Sequence, residues 1–557
     1  MTNLTPKQWI ELDPDAQTKA ELQELVEKAE TDQDAQKELD DRFSGFLEFG
    51  TAGLRAEMAA GPNRMNRLVV RKAAAGLANY AKSKLGAKDK SVAIGYDGRH
   101  NSKIFAKESA QIMTAAGIKT YLMPRELPTP VLASSVRKLK TDIGIMVTAS
   151  HNPAADNGYK VYLGNQLTDE LGNGSQIVPP ADKEISEEID AIDLSKIELA
   201  DSGWEEVPES IITDYVERAA SLVNKADFHK DLKIVYTAMH GVGSPVIRAV
   251  LEKTGFEQVA VVKEQDNPDP NFPTVSFPNP EEKGALSLAI ATAKEENADI
   301  ILAHDPDADR AAIALEKDGQ WIMFRGDQLG TLLGWRLLAH TEDPTKLVLS
   351  NSIVSSRMLG VISKDYGAEH HETLTGFKWI PRLKGFSYGY EEALGYCTDP
   401  DYVHDKDGTS ALLFAAHMAA FTKSKGTDLW GTLDKLYTKY GLYSSDQLSI
   451  RVTELSQIQD MMKQLRSEPL TTIAGSKVTE SRDLLKPTNN LPPTDGLAYY
   501  CEDGTRVIIR PSGTEPKLKC YLEVITDSKD GSLDTARETA AKQLDEIKTE
   551  LSKVLGV

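Results

Sequence analysis

Between residues 91 and 139 the chain alternates two rhythms. SVAIGYD is a short, nearly continuous apolar run of strand length, and SKIFAKESAQIMTAAG spaces its apolar residues as a helix does and stops at Gly117. TYLMP is strand-like again, and TPVLASSVRKL helical. A continuous apolar run suits a strand buried on both faces, and 3.6-residue spacing suits a helix that covers such a strand. The succession returns further on. DLKIVYTAM, QVAVVKE, ADIILAHD and KLVLSNSIV read as strands; segments in HGVGSPVIRAVLEKTGF, ALSLAIATAKEENA, DQLGTLLGWRLLAH and SSRMLGVISKDYG read as helices. This alternation predicts parallel or mostly parallel α/β sheets.

Residues 15–44 lack Gly and Pro and predict helix, as does VVRKAAAGLANYAKSKLG. The last hundred residues differ: LSIRVTEL, a polar helix, a strand-rich centre and the helix TARETAAKQLDEIKTELSKVL predict a smaller α+β domain. The expected fold class is therefore α/β, with three α/β domains and a C-terminal α+β domain. The expected boundaries are 1–207, 208–323, 324–445 and 446–557. Candidate linkers are the acidic stretch 195–210, residues 322–326 and GLYSSDQ at 441–447. The Pro-rich DNPDPNFPTVSFPNPEE at 266–282 predicts an extended loop.

A length of 557 residues exceeds one hydrophobic core and agrees with several domains. A net charge of -20 argues against a nucleic-acid footprint. It still permits a small anionic substrate, because a few local cations make a positive pocket in an acidic protein. Cys397, Cys501 and Cys520 are sparse and form no CxxC, which points to a reducing compartment. The N-terminus is polar without an apolar signal region, and no apolar run approaches the ~18 residues of a membrane span. The expectation is a cytoplasmic protein, monomer or homodimer, without a membrane or nucleic-acid partner.

Five stretches carry candidate chemistry. VTASHNP, 147–153, follows the apolar IGIM, so Ser150 emerges at a strand's C-terminal end as an N-cap, a turn residue or a nucleophile. In HDPDADR, 304–310, Asp305, Asp307 and Asp309 alternate, and in an extended segment they point the same way. Three converging carboxylates repel unless a cation neutralises them, and oxygen ligands suit a hard ion such as Mg²⁺. An EF-hand loop fits poorly although Glu316 falls at its twelfth position: Arg310 stands where Gly is needed, and AAIAL reads as a buried strand. RVIIRPSGTEPKLKCYLEV brackets a turn in which Ser512, Gly513 and Thr514, beside Arg510 and Lys517, form an anion-binding concavity or an ordinary hairpin turn. GFKWI, 376–380, precedes GYEEALGY, 389–396, whose acids either bond sugar hydroxyls or open a helix. FGTAGLR, 49–55, offers Arg55 as a phosphate partner, and IGYDGRHNS offers Arg99; alone, both read as turns. Lys406 in VHDKDG reads as part of a solvated charge cluster, and His370 and His371 as a polar strand edge. GxxxxGK[ST], GxGxxG, GxSxG and HExxH are all absent, which disfavours a P-loop kinase, an α/β-hydrolase and a zincin.

FGTAGLR, TASHNP, DPDADR, TGFKW with GYEEALG, and RPSGTEPK occur in the order of the α-D-phosphohexomutase family, the phosphoglucomutase/phosphomannomutase group, and the resemblance spans nearly the whole chain. It implies three related α/β domains plus a C-terminal one around a central cleft. They would carry, in order, the phosphoserine, metal-binding, sugar-binding and phosphate-binding loops. The resemblance implies that Ser150 is phosphorylated, with Asp305, Asp307 and Asp309 holding Mg²⁺ together with a phosphoserine oxygen. Arg55, His151, Lys160 and Arg310 match positions near the phosphoserine. Thr375, Gly376 and Lys378 match the sugar-side loop, and Glu391 a contact to sugar hydroxyls. Arg510, Ser512, Gly513, Thr514 and Lys517 match a grip on the non-transferred phosphate, and Lys406 a proton donor or acceptor. The implied reaction interconverts glucose 1-phosphate and glucose 6-phosphate, with glucose 1,6-bisphosphate as intermediate and activator. One position departs: Ala393 stands where glucose- and mannose-type members commonly carry Ser, which leaves open a pentose phosphate or a longer-chain phosphoglucomutase subgroup whose loop differs; a phosphopentomutase or phosphomannomutase of the same mechanism is the alternative to a phosphoglucomutase. Two other classes weighed are a Mg²⁺-dependent phosphatase, opposed by the intact RPSGTEPK loop, and a non-catalytic sugar-phosphate binder, opposed by the intact Ser150 and aspartates.

Overall fold

Helices and sheets alternate through most of the chain, as the apolar rhythm requires. The structure, a computed structural model, describes residues 4–50, 53–224, 231–452, 455–486, 491–512, 517–527 and 532–557. The chain forms two compact units. The first comprises Met1–Phe324, Pro381–Lys384 and Gly395–Phe421, and the second Arg325–Ile380, Gly385–Leu394 and Thr422–Val557.

The first unit holds two sheets. In one, Ser91–Tyr96, Lys119–Leu122 and Ile143–Val147 run parallel, and Asp156–Leu163 runs antiparallel to Ile143–Val147. The reversal follows from connection length. Only residues 148–155 separate the two strands, and a parallel crossover needs a dozen or more. Leu54–Glu57 adds a further antiparallel strand. In the other sheet, Ile300–His304 pairs parallel with Ile234–Thr237 and antiparallel with Ala311–Lys317. Residues 15–44 form two helices, Ala16–Ala29 and Gln33–Arg42; Asp32 interrupts them and caps the second by accepting from Asp34 N.

Within Gly395–Phe421 the first unit also takes up most of the helix Gly408–Ser424. Its sequence, GTSALLFAAHMAAFTKS, is apolar on every side, and Ala411, Leu412, Leu413, Ala415 and Ala416 are fully buried. A helix apolar all round belongs inside a core.

The second unit contains the parallel strands Glu369–Thr373, Val348–Ser352 and Phe386–Glu391. It also holds a six-stranded antiparallel sheet on which the helix Leu533–Leu555 packs. GLYSSDQ is not a linker. Leu442–Arg451 is an edge strand of that sheet, paired over its whole length with Lys517–Thr526. Its polar composition suits an edge with one face toward water. Among the described residues no helix is long and apolar enough to cross a membrane. All three cysteines are free and buried.

Candidate active site

The first unit carries the densest set of buried charges. Ile143–Val147 is wholly buried and ends at Thr148, whose Oγ1 accepts from Ser150 N at 2.9 Å. Ser150 is 2% exposed, with φ of +51°. A non-glycine residue in the left-handed region costs on the order of 1 kcal/mol, and such strain gathers at functional sites. Arg99 holds the loop in place. Its Nη1 donates to the carbonyls of Pro153 (2.7 Å) and Asp156 (3.0 Å), and its Nη2 to those of Ser150 (2.7 Å) and Asn152 (2.5 Å). Arg55 Nη1 donates to Asn152 Oδ1 at 3.3 Å.

The aspartates sit in the connection between the antiparallel strands Ile300–His304 and Ala311–Lys317. An extended segment is not what makes them converge. Residues 305–309 turn, with Ala308 at φ +54° and its N–H donating to Asp305 O at 3.0 Å. The loop packs on the start of the helix Gly408–Ser424: a Cβ at Gly408 would stand 2.5 Å from Arg310 O and 2.8 Å from Ala308 O. All three aspartates are fully buried, and one carboxylate oxygen from each lies within 4.8 Å of the others.

The serine and the acids meet. Ser150 Oγ donates to Asp305 Oδ2 at 2.7 Å and lies 3.3 Å from His151 Nδ1. Lys160 Nζ donates to Asp307 Oδ2 at 2.7 Å and Asp309 Oδ2 at 2.8 Å, and Lys406 Nζ stands 3.3 Å from Asp309 Oδ2. Arg310 Nε lies 3.9 Å from both Asp305 and Asp309. Asp307 Oδ1 and Asp309 Oδ1 are buried and accept no hydrogen bond among the described residues. Buried acceptors without a donor are expensive. Three hard oxygens, two of them unsatisfied, fit a divalent cation of the Mg²⁺ class.

The electrostatics agree. Burial, then repulsion from Asp307 and Asp309, raises Asp305 well above the carboxylate range. Burial opposes ionisation of Asp309 as well, but Lys160, Lys406 and Arg310 hold it far below that range. Burial lowers Lys160, yet Asp307 and Asp309 reverse this and keep it charged. Burial together with Arg310 and Arg55 holds His151 well below 6.5, so it is a neutral imidazole.

Lys406 is not solvated. It is 6% exposed, in a loop held by Asp405, whose Oδ2 accepts from Tyr162 OH (2.7 Å) and Gln176 Nε2 (2.9 Å). Beside it His404, with Ser175 Oγ 3.1 Å from its Nδ1, is lowered to about 4 by burial and then by Arg137 and Arg382. Because the folded chain favours neutral His404, stability is unaffected above pH 6.5. As pH falls below 6.5 the unfolded chain takes up a proton that the folded chain refuses, down to about pH 4. His404→Gln is expected to remove up to about 1.4 kcal/mol per pH unit from the pH dependence of stability in that window. Urea unfolding of both proteins between pH 7 and 4.5 checks this, and parallel curves would contradict it.

The second unit contains the residues that the resemblance assigns to the sugar-side and phosphate-binding loops. Thr375, Gly376 and Lys378 follow the strand Glu369–Thr373, with Gly376 at φ +101°. Trp379 packs against a core cluster that includes Ile353, Leu374, Leu484 and Tyr521. GYEEALG is a strand end rather than a helix start: Glu391 closes Phe386–Glu391. Glu392 accepts from Ser352 Oγ and Ser355 Oγ at 3.0 Å each, and thus braces the loop. Burial raises the Tyr521 hydroxyl, as do Glu392 and Glu391, while Arg510 opposes them, so both loops share its surroundings. Arg510 lies in Arg506–Pro511, and Ser512 N donates to Lys517 O at 2.8 Å. Gly513 and Thr514 lie outside the described residues.

Sequence reasoning missed Thr129, whose Oγ1 donates to Asp307 Oδ2 at 2.6 Å, and read Arg99 as a turn residue. LPTPVLASS signals a helix start, but nothing in it reveals what the hydroxyl reaches.

Four domain profiles match the chain in order. They are phosphoglucomutase/phosphomannomutase alpha/beta/alpha domain I at 47–196, domain II at 213–319, domain III at 325–440 and the C-terminal domain at 451–539. A probable phosphomannomutase of Haemophilus influenzae is 46% identical over 462 residues, covering 82% of this chain and 93% of the relative. A probable phosphoribomutase of Schizosaccharomyces pombe is 35% identical over 576 residues, covering 95% of each. A phosphoglucomutase of Staphylococcus haemolyticus is 35% identical over 517 residues, covering 87% and 92%.

Proposed function

The chain belongs to the phosphoglucomutase/phosphomannomutase family of α-D-phosphohexomutases and is a mutase isomerase, and from that premise we propose that it interconverts glucose 1-phosphate and glucose 6-phosphate through a phosphorylated Ser150. One observation carries the reading: Ser150 Oγ reaches 2.7 Å from Asp305 inside a buried three-carboxylate cluster with two unsatisfied oxygens. Asp305, Asp307, Asp309 and an oxygen of the phosphorylated Ser150 would hold Mg²⁺, which supplies Lewis-acid polarisation of the phosphoryl group.

The chain's residues do the rest. A hydroxyl of the bound hexose phosphate attacks phosphorus in line; its bond to phosphorus forms as the Ser150 Oγ–P bond breaks. Lys406, an ammonium beside Asp309, gives a proton to the departing Ser150 Oγ and takes the attacking hydroxyl's proton in its place, so the half-reaction is proton-neutral. The resulting glucose 1,6-bisphosphate reverses its orientation, and its other phosphoryl returns to Ser150. Arg510, Ser512, Gly513, Thr514 and Lys517 grip the phosphate that is not transferred, and Glu391 with Thr375, Gly376 and Lys378 reads the sugar. Neutral His151, with Arg55 and Arg310, lines the transferring phosphoryl without competing as a cationic acid. Glucose 1,6-bisphosphate also primes the unphosphorylated chain. Location in the cytoplasm suits such a metabolite reaction.

A pentose phosphate is the second reading. Ala393 offers no hydroxyl to a hexose, and the relative named as a probable phosphoribomutase aligns over nearly the whole chain. A coupled assay with glucose, mannose and ribose 1-phosphates decides. Glucose 1-phosphate is expected to give the highest kcat/KM, and Ala393→Ser to raise the glucose-to-ribose ratio by about tenfold, the worth of one good hydrogen bond. A wild-type preference for ribose 1-phosphate would keep the chemistry and replace the substrate.

A further inference from the structure

The carboxylate oxygens of Asp307 and Asp309 divide into those that accept hydrogen bonds and those that accept none among the described residues, and the division follows a pattern. Asp307 Oδ2 accepts from Thr129 Oγ1 at 2.6 Å and Lys160 Nζ at 2.7 Å. Asp309 Oδ2 accepts from Lys160 Nζ at 2.8 Å, with Lys406 Nζ at 3.3 Å. The Oδ1 atoms of both are buried and accept no hydrogen bond among the described residues. Each of these acids therefore keeps one oxygen engaged and presents one.

Thr129 differs in kind from the lysines. It is fully buried at the first turn of the helix Thr129–Lys138, and it also donates its own N–H to Asp307 O at 2.9 Å. Two bonds from one residue, one to the main chain and one to the side chain, fix both the position of Asp307 and the rotation of its carboxylate. A lysine on a flexible stem constrains charge but little rotation.

We infer that Thr129 is a positioning residue that makes Asp307 a one-oxygen ligand and thereby favours a small, six-coordinate cation over a larger one. The chemistry is that of the two ion classes. Ca²⁺ takes six to eight oxygens and readily uses both oxygens of a carboxylate, whereas Mg²⁺ and ions of similar demand take six ligands at short distance. An acid whose second oxygen is saturated by a hydroxyl and an ammonium cannot supply a bidentate pair without breaking those bonds. Groups that orient a metal ligand in this way typically contribute about 10–100-fold in affinity.

The inference rests on the cation site of the proposed function, and its test separates the two. Calorimetric titration of the full chain with Mn²⁺ and with Ca²⁺, without sugar phosphate, gives the two dissociation constants and their ratio. The wild type is expected to bind Mn²⁺ more tightly than Ca²⁺. Thr129→Val, nearly the same volume without the hydroxyl, is expected to weaken Mn²⁺ by about tenfold and Ca²⁺ less, so that the ratio narrows. Thr129→Ser, which keeps the hydroxyl, is expected to preserve the ratio. Thr129→Ala makes the same deletion without a second methyl if valine prevents folding. An unchanged ratio in Thr129→Val, or equal narrowing in Thr129→Ser, would overturn the role of the hydroxyl while leaving the site intact. No Mn²⁺ binding by the wild type would overturn the cation site and this inference together.

Discussion

Ser150→Ala is expected to lower the interconversion rate on the order of 10⁴-fold or more while the chain remains folded. The hydroxyl oxygen is the atom that breaks from phosphorus in one half-reaction and bonds to it in the other, so nothing else in the loop replaces it. The structural loss is small by comparison. Ser150 Oγ donates one hydrogen bond, to Asp305, worth about 1 kcal/mol net. Alanine carries the same Cβ at φ +51°, so the backbone strain is unchanged. Arg99 contacts only backbone carbonyls of the loop through its Nη atoms, and these survive the substitution. The check is the coupled assay beside a thermal melt: a folded variant retaining more than about a hundredth of the wild-type rate would contradict the assignment.

Asp309→Asn comes second, with an expected loss of about 10²–10³-fold in kcat/KM that saturating Mg²⁺ does not restore. The reason lies in the pairing. Asp309 Oδ2 faces Lys160 and Lys406 together, and Asp309 Oδ1 is one of the two unsatisfied buried oxygens. An amide removes the charge and sets an N–H₂ group either toward two ammonium groups or toward the cation. The two variants separate by a second readout. Ser150→Ala keeps Mn²⁺ binding and loses turnover, whereas Asp309→Asn loses both. If Asp309→Asn bound Mn²⁺ as the wild type does, the carboxylate cluster would not be the cation site.

Where the sequence was legible, one physical signal dominated the segment. The apolar runs IGIMV and IILAH announce strands buried on both faces, and both are fully buried. DPDADR announces an acid cluster because ligand type alone argues for it, although the convergence comes from a turn with Ala308 in the left-handed region rather than from an extended strand. The illegible parts depend on contacts distant in the chain. Leu442–Arg451 is too polar to look like a strand, and only its partner Lys517–Thr526 makes it one. Lys406 looks solvated between two aspartates until Tyr162 and Gln176 anchor Asp405 and Asp309 draws in its ammonium. The helix Gly408–Ser424 has no polar face to set a period, and the segment Gly395–Phe421 that holds most of it joins the first unit although Gly385–Leu394 before it and Thr422–Val557 after it belong to the second. Thr129 lies 178 residues from the carboxylate it holds, a distance no local pattern spans.

The central claim, that Ser150 carries the phosphoryl group between two positions of one sugar, is tested most directly by following that group. The full chain is incubated with Mg²⁺ and ³²P-labelled glucose 1,6-bisphosphate, desalted, digested and mapped, and a second portion is chased with unlabelled glucose 1-phosphate. The account predicts label on the peptide containing Ser150, none in Ser150→Ala, and a chase that moves the label into sugar phosphate without inorganic phosphate. Label on another residue, or label released by the chase as inorganic phosphate, would contradict it.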